Sequence, residues 1–75
     1  MARLPRVSGK KIIVVLIRRG FYIHHQTGSH VNLRHETKVH LRIVVPSHSR
    51  ELAPKTIKTI IIQAEMTVEQ FLELL

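Results

Sequence analysis

The stretch FYIHHQTGSHVNLRHETKVHLRIVV, residues 21–45, decides the fold, because within FYIHHQ, HVNLRH and VHLRIVV apolar side chains recur at every second position. That period belongs to a half-buried strand, whose side chains point alternately to opposite faces. One parity carries Phe21, Ile23, Val31, Leu33, Val39, Leu41, Ile43 and Val45, and the other carries Tyr22, His24, His30, Asn32, Arg34, His40, Arg42 and Val44. A sheet built from these segments has one apolar face and one basic, histidine-rich face.

Turn chemistry sets the expected register. A two-residue Thr27-Gly28 loop would oppose His25 to His30 and Ile23 to Asn32, mixing the faces. A three-residue Gln26-Thr27-Gly28 loop, with Gly28 in the left-handed region, opposes His24 to His30 and keeps the parity. A Glu36-Thr37-Lys38 loop then opposes Arg34 to His40, Asn32 to Arg42 and Leu33 to Leu41. The expectation is a three-stranded antiparallel meander.

Upstream, KKIIVVLIRRG (residues 10–20) is β-branched enough for a buried strand. Ser8 as an N-cap, Arg18 and Arg19 at the far end and Gly20 just past it favour a helix instead. Downstream, Pro54 opens APKTIKTIIIQA, where Ile57, Ile60, Ile61 and Ala64 fall at helical spacing. In TVEQFLELL, Thr67 and Gln70 form a capping-box pair. The predicted class is α+β, in the order α-β-β-β-α with a short C-terminal helix, and the helices cover the apolar face of the sheet.

The 75 residues make one domain, 1–75, with residues 1–8 expected to be flexible. With no cysteine, disulfides and thiolate zinc sites are excluded, and the redox compartment is left open. The longest apolar run, IIVVLI from Ile12 to Ile17, has six residues. A bilayer-spanning helix needs about 20, and a signal peptide's apolar region about 7 to 15. The expectation is a soluble cytoplasmic protein with no membrane partner. Charge is more informative: residues 1–50 hold ten basic side chains and one acidic, residues 51–75 two basic and four acidic. A basic body suits a polyanion, above all nucleic acid, although basic solubility alone gives the same count.

Five landmarks in order carry a family resemblance. GFYIHHQTGSH (residues 20–30) precedes a strand pair, then come VPSHSREL (residues 45–52) and TIKTIIIQAEMTVEQFLELL (residues 56–75). Over residues 10–75 this resembles the HicA toxins of toxin–antitoxin pairs, the YcfA-like family, with their Gly-Phe after a first helix, Gly-Ser-His hairpin and Val-Pro-x-His step. The resemblance implies a double-stranded-RNA-binding-domain-like fold, messenger RNA cleavage, and neutralisation by a HicB-type antitoxin. It also implies a free monomer that becomes oligomeric with the antitoxin. The family's functional histidine falls on His30, and the proline-linked histidine, of secondary role, on His48. Three positions depart from the pattern: His25 where arginine is common, Lys55 where glycine opens the second helix, and Glu65 where glycine ends it. If Glu65 must be left-handed, the cost is about 1 kcal/mol.

The chemistry agrees with that assignment. RNA supplies its own nucleophile, the 2′-hydroxyl, so the protein needs a base, donors for the phosphate oxygens and an acid for the leaving 5′-oxygen. His30 is the expected catalytic residue, because histidine exchanges protons readily near neutral pH. Gly28 and Ser29 would present amides or a hydroxyl to the phosphate, and Arg34 and Arg42 would hold phosphates. Tyr22 would stack on a base, His24 and Asn32 would share the RNA face, and Lys10 and Lys11, with Arg18 and Arg19, would extend the basic track. His25 and His48 are candidates for a secondary role. No cofactor is expected, and no metal: His24 and His30 with His40 share a face that bears no carboxylate, too little for a site. His35 and His40 read as solvated surface residues. Two other readings stay open: an RNA-binding module without catalysis, and a structural partner joined through a sheet edge.

Overall fold

The computed structural model describes residues 4–47 and 50–75. The elements follow the expected order: α1 (Gly9–Arg18), β1 (Phe21–Thr27), β2 (His30–His35), β3 (Arg42–Pro46), α2 (Pro54–Gln63) and α3 (Val68–Leu74). The strands form one antiparallel sheet in the order β1-β2-β3. The class is α+β, as the alternation and the two helical flanks required.

Each helix begins where its sequence signals. Ser8 Oγ accepts the Lys11 amide at 3.2 Å, Pro54 occupies the first turn of α2, and Thr67 and Gln70 close the capping box of α3. Gly9 is required by packing. A β-carbon there would lie 1.7 Å from the Pro46 carbonyl oxygen, so the start of α1 sits directly against the end of β3. At the other end of α1, Arg18 donates to the Leu74 carbonyl at 2.8 Å, which fixes α3 beside it. Within the lead expected to be flexible, Leu4 and Val7 pack on the core, and the Val7 carbonyl accepts the Leu52 amide at 2.8 Å.

The apolar parity faces the helices. Phe21, Val31, Leu33, Ile43 and Val45 are buried there against Ile12, Leu16, Ile57 and Phe71, all at most 2% exposed. Each aliphatic side chain so buried stabilises the fold by roughly 1.5–3 kcal/mol. Ile23 and Val39, assigned to the same parity, are 49% and 74% exposed. Ile23 lies on the edge strand β1, which is exposed along its whole length after Phe21, and Val39 belongs to a turn.

Both expected registers need correction. The first hairpin turns on two residues, Gly28 and Ser29, so that Thr27 opposes His30 and His25 opposes Asn32. Positive φ at Gly28 (58°) but not at Ser29 is the pattern of a type II′ turn, whose twist matches that of the strands. Carried unchanged down the strand, this register would put Ile23 on the basic face. An irregularity between Ile23 and His25 absorbs one residue, His24, and restores Ile23 opposite Leu33 and Tyr22 opposite Arg34. The faces expected for Phe21, Tyr22 and Ile23 are kept, by a bulge and not by a longer loop, but beyond the bulge the parity inverts, so that His25 and Thr27, not His24, stand on the basic face.

The second connection is longer than the expected Glu36-Thr37-Lys38 loop. His35 Nδ1 accepts the amides of Thr37 (3.2 Å) and Lys38 (3.1 Å), which curls the chain immediately after β2. The third strand therefore starts at Arg42, and the pairs are Leu33 with Ile43 and Arg34 with Arg42. The shift is two residues, so the faces are unaffected and only the partners change. His40 leaves the sheet: its Nε2 lies 3.2 Å from Glu65 Oε2, and Lys38 Nζ lies 3.6 Å from the other carboxylate oxygen. Glu65, just past α2, is left-handed at φ 54°, the conformation that its place at a family glycine position implied.

Candidate nucleic-acid interface

The face of the sheet away from the helices is laid out in rows across the three strands. From the hairpin tip inward these are Thr27–His30–Pro46, His25–Asn32–Val44 and Tyr22–Arg34–Arg42. Along β2 and β3 successive rows are two residues apart, about 6.8 Å, and neighbouring strands are about 4.8 Å apart.

His30 stands at the tip, exposed, next to the Gly28-Ser29 turn. A β-carbon on Gly28 would meet nothing within 4 Å, so the backbone there is open to a ligand. Gln26 Nε2 donates to the Gly28 carbonyl at 2.9 Å, and the Ser47 amide donates to the Ser29 carbonyl, which pins the turn from both sides. Tyr22 is 43% exposed at the opposite end of the face. Arg34 and Arg42 face one another directly across β2 and β3. No glutamate belongs to any of the three strands, so the face carries cations without an acid of its own.

His24, displaced from the ladder, still belongs electrostatically to this face. The Arg34 guanidinium, then its modest loss of hydration, then His25 and Arg42, hold its pKa below the usual histidine value. Its Nδ1 lies 2.9 Å from His25 Nδ1, with the two rings edge to face. One ring donates and the other accepts, an arrangement that a second proton would break.

The structure brings together Tyr22, His25, Gly28, Ser29, His30, Asn32, Arg34 and Arg42, with His24 at their edge. It does not bring Lys10 and Lys11 to this face. They line a groove in the helical layer together with Val14, Arg18 and Leu74. Arg18 and Arg19, expected to extend the basic track, instead bond to the Leu74 carbonyl and to Gln70 Oε1. His48 lies outside the described residues. His24 does not oppose His30; Thr27 does, a neighbour that the expected register left out. The signal for it was the Gly28-Ser29 pair, since glycine followed by serine is itself a two-residue hairpin turn.

His35 has a structural role. Its Nε2 donates to the Arg19 carbonyl at 3.1 Å while Nδ1 accepts two amides, and the ring meets Phe21 edge-on at 4.9 Å. The ring ties the end of α1 to the loop after β2. Among the described residues, no group of three or more histidine, cysteine or carboxylate side chains is placed to hold a metal ion. No helix among them is long and apolar enough to cross a membrane.

The family described as HicA toxin of bacterial toxin-antitoxin is matched by residues 9–66, more than half of the chain. The match runs from the start of α1 to the residue before the Thr67 cap, so α3 lies beyond it. No curated protein matches the chain.

Proposed function

The chain belongs to the HicA toxin family, and from that premise we propose that it is an endoribonuclease that cleaves messenger RNA on the open face of its sheet, with His30 as the catalytic residue. The observation that carries the proposal is the exposed His30 beside an open glycine turn, on a face that holds Arg34 and Arg42 and no carboxylate. As a member of this family the chain is the toxin of a toxin–antitoxin system. A HicB-type antitoxin is the proposed neutralising partner, the cytoplasm the site of action, and a monomer the free form.

In the proposed reaction His30 removes the proton of the RNA 2′-hydroxyl. The 2′-oxygen attacks the adjacent phosphorus, the bond to the 5′-oxygen breaks, and a proton passes to that leaving oxygen. The products are a 2′,3′-cyclic phosphate and a free 5′-hydroxyl. The nucleophile is RNA's own, so the step needs no metal. The amides of Ser29 and His30 and the Ser29 hydroxyl are the nearest donors to a phosphoryl oxygen placed against His30. The acid for the leaving oxygen is drawn from His25, one row away, or from His48.

A binding module without catalysis is favoured by one observation: no described side chain hydrogen-bonds to His30 to orient it. The two readings are separated by incubating antitoxin-free protein with RNA in excess EDTA, beside His30→Ala, His25→Ala and His48→Ala. The expected result is cleavage by the wild type, loss of at least about 100-fold in His30→Ala, and unchanged RNA binding. Binding without product in the wild type would establish the module, and cleavage by His30→Ala at the wild-type rate would remove His30 from the mechanism.

A further inference from the structure

We propose that Arg34 and Arg42 form a second phosphate subsite, separate from the one at His30, which holds a neighbouring phosphate of a single RNA strand laid along β2. The inference rests on the functional reading above and specifies how the substrate lies.

The two arginines belong to the row four residues from His30 along β2, about 13 Å away. Side chains of a strand stand roughly perpendicular to the sheet. A phosphate placed against the His30 ring is therefore out of reach of this pair, and the pair must hold a different one.

The pair is also built for an anion that the chain does not contain. Like charges directly opposed on neighbouring strands repel. Lys38 pairs with Glu65, and Arg18 and Arg19 bond to α3, while Lys10, Lys11, Lys55 and Lys58 stand apart on the helices; what distinguishes Arg34 and Arg42 is that they oppose each other directly on adjacent strands. Among the described residues, Arg34 and Arg42 have no such partner, and the five glutamates all lie outside the sheet. Two guanidinium forks from adjacent strands can each place two donors on one tetrahedral phosphate, which removes the repulsion. Tyr22, opposite Arg34 on the other side, offers a ring to a base next to that phosphate. Stacking of that kind requires an unpaired strand. The lowered pKa of His24 reports the same uncompensated field, since Arg34 is its largest cause.

The test compares wild type with Arg34→Gln/Arg42→Gln on two substrates: a dinucleotide that carries the scissile phosphate alone, and a single-stranded oligonucleotide of about ten residues, long enough to span the face. The proposal expects the variant's KM to rise at least about tenfold for the oligonucleotide and by much less for the dinucleotide, a difference between substrates that a role at the scissile phosphate would not give. Equal losses on both substrates would move the pair to the scissile phosphate, and no loss on either would leave it without a ligand; either result overturns the proposal. Binding of the same oligonucleotide to His30→Ala, with and without the arginine substitutions, reads the subsite independently of cleavage. The slope of log affinity against log salt should become shallower by about 0.7 for the one phosphate lost. An unchanged slope overturns the subsite even if cleavage is found, and a changed slope supports it even if cleavage is not.

Discussion

His24 and Glu65 show how single residues record the charge around them. Arginines surround His24, so the fold disfavours its protonated form. As pH falls through the ordinary histidine value and on through the lowered native one, the unfolded chain takes up the proton more readily, and the native state loses stability across that window. Denaturation of His24→Gln should therefore show a smaller stability loss between about pH 7 and 5 than the wild type. Parallel losses would place the arginines too far away to matter. Glu65 runs the other way: its hydrogen bond to His40, then the charges of His40 and Lys38, outweigh a small desolvation and lower its pKa. Its contribution is present above the ordinary carboxylate value and is lost as pH falls through the native one. A left-handed backbone is unfavourable for an L-residue, and Glu65 adopts it while its carboxylate reaches Lys38 and His40 in the loop before β3.

Two glycines at the element scale separate backbone strain from packing. At Gly28 an added β-carbon meets nothing, but φ is 58°, so Gly28→Ala should destabilise by about 1 kcal/mol through the backbone alone. At Gly9 the helix would welcome alanine by propensity, yet the Pro46 carbonyl occupies the space. Gly9→Ala should cost more, roughly 1–3 kcal/mol, because α1 must move off β3. Urea denaturation of the two variants reads both values, and a stabilised Gly9→Ala would mean that α1 and β3 do not meet as described. The elements themselves were legible in the sequence because caps and periods agreed: Ser8, Pro54 and Thr67 each start a helix, and period two marks each strand. The registers were not. Whether parity is preserved by a longer loop or by a bulge depends on how β1 twists over the core, and His35 accepting two amides shortens β3 through a contact that no local pattern announces.

At the scale of the molecule, sixteen apolar side chains among the described residues form one core beneath the sheet and leave its other face free for function. That division was readable from alternation alone, and so was the place of His30 on the open face. The direct opposition of Arg34 and Arg42 was not, because it follows from the loop before β3. Lys10 and Lys11 show the complementary error: net charge identifies a basic protein but not which side of it a given lysine occupies. The most direct measurement of the central claim is the chemistry of the cleaved ends, determined on RNA treated with antitoxin-free protein in EDTA beside His30→Ala. The account predicts 2′,3′-cyclic phosphate and 5′-hydroxyl ends that appear only when His30 is intact. Ends bearing a 5′-phosphate, or cyclic phosphate formed equally by His30→Ala, would contradict it.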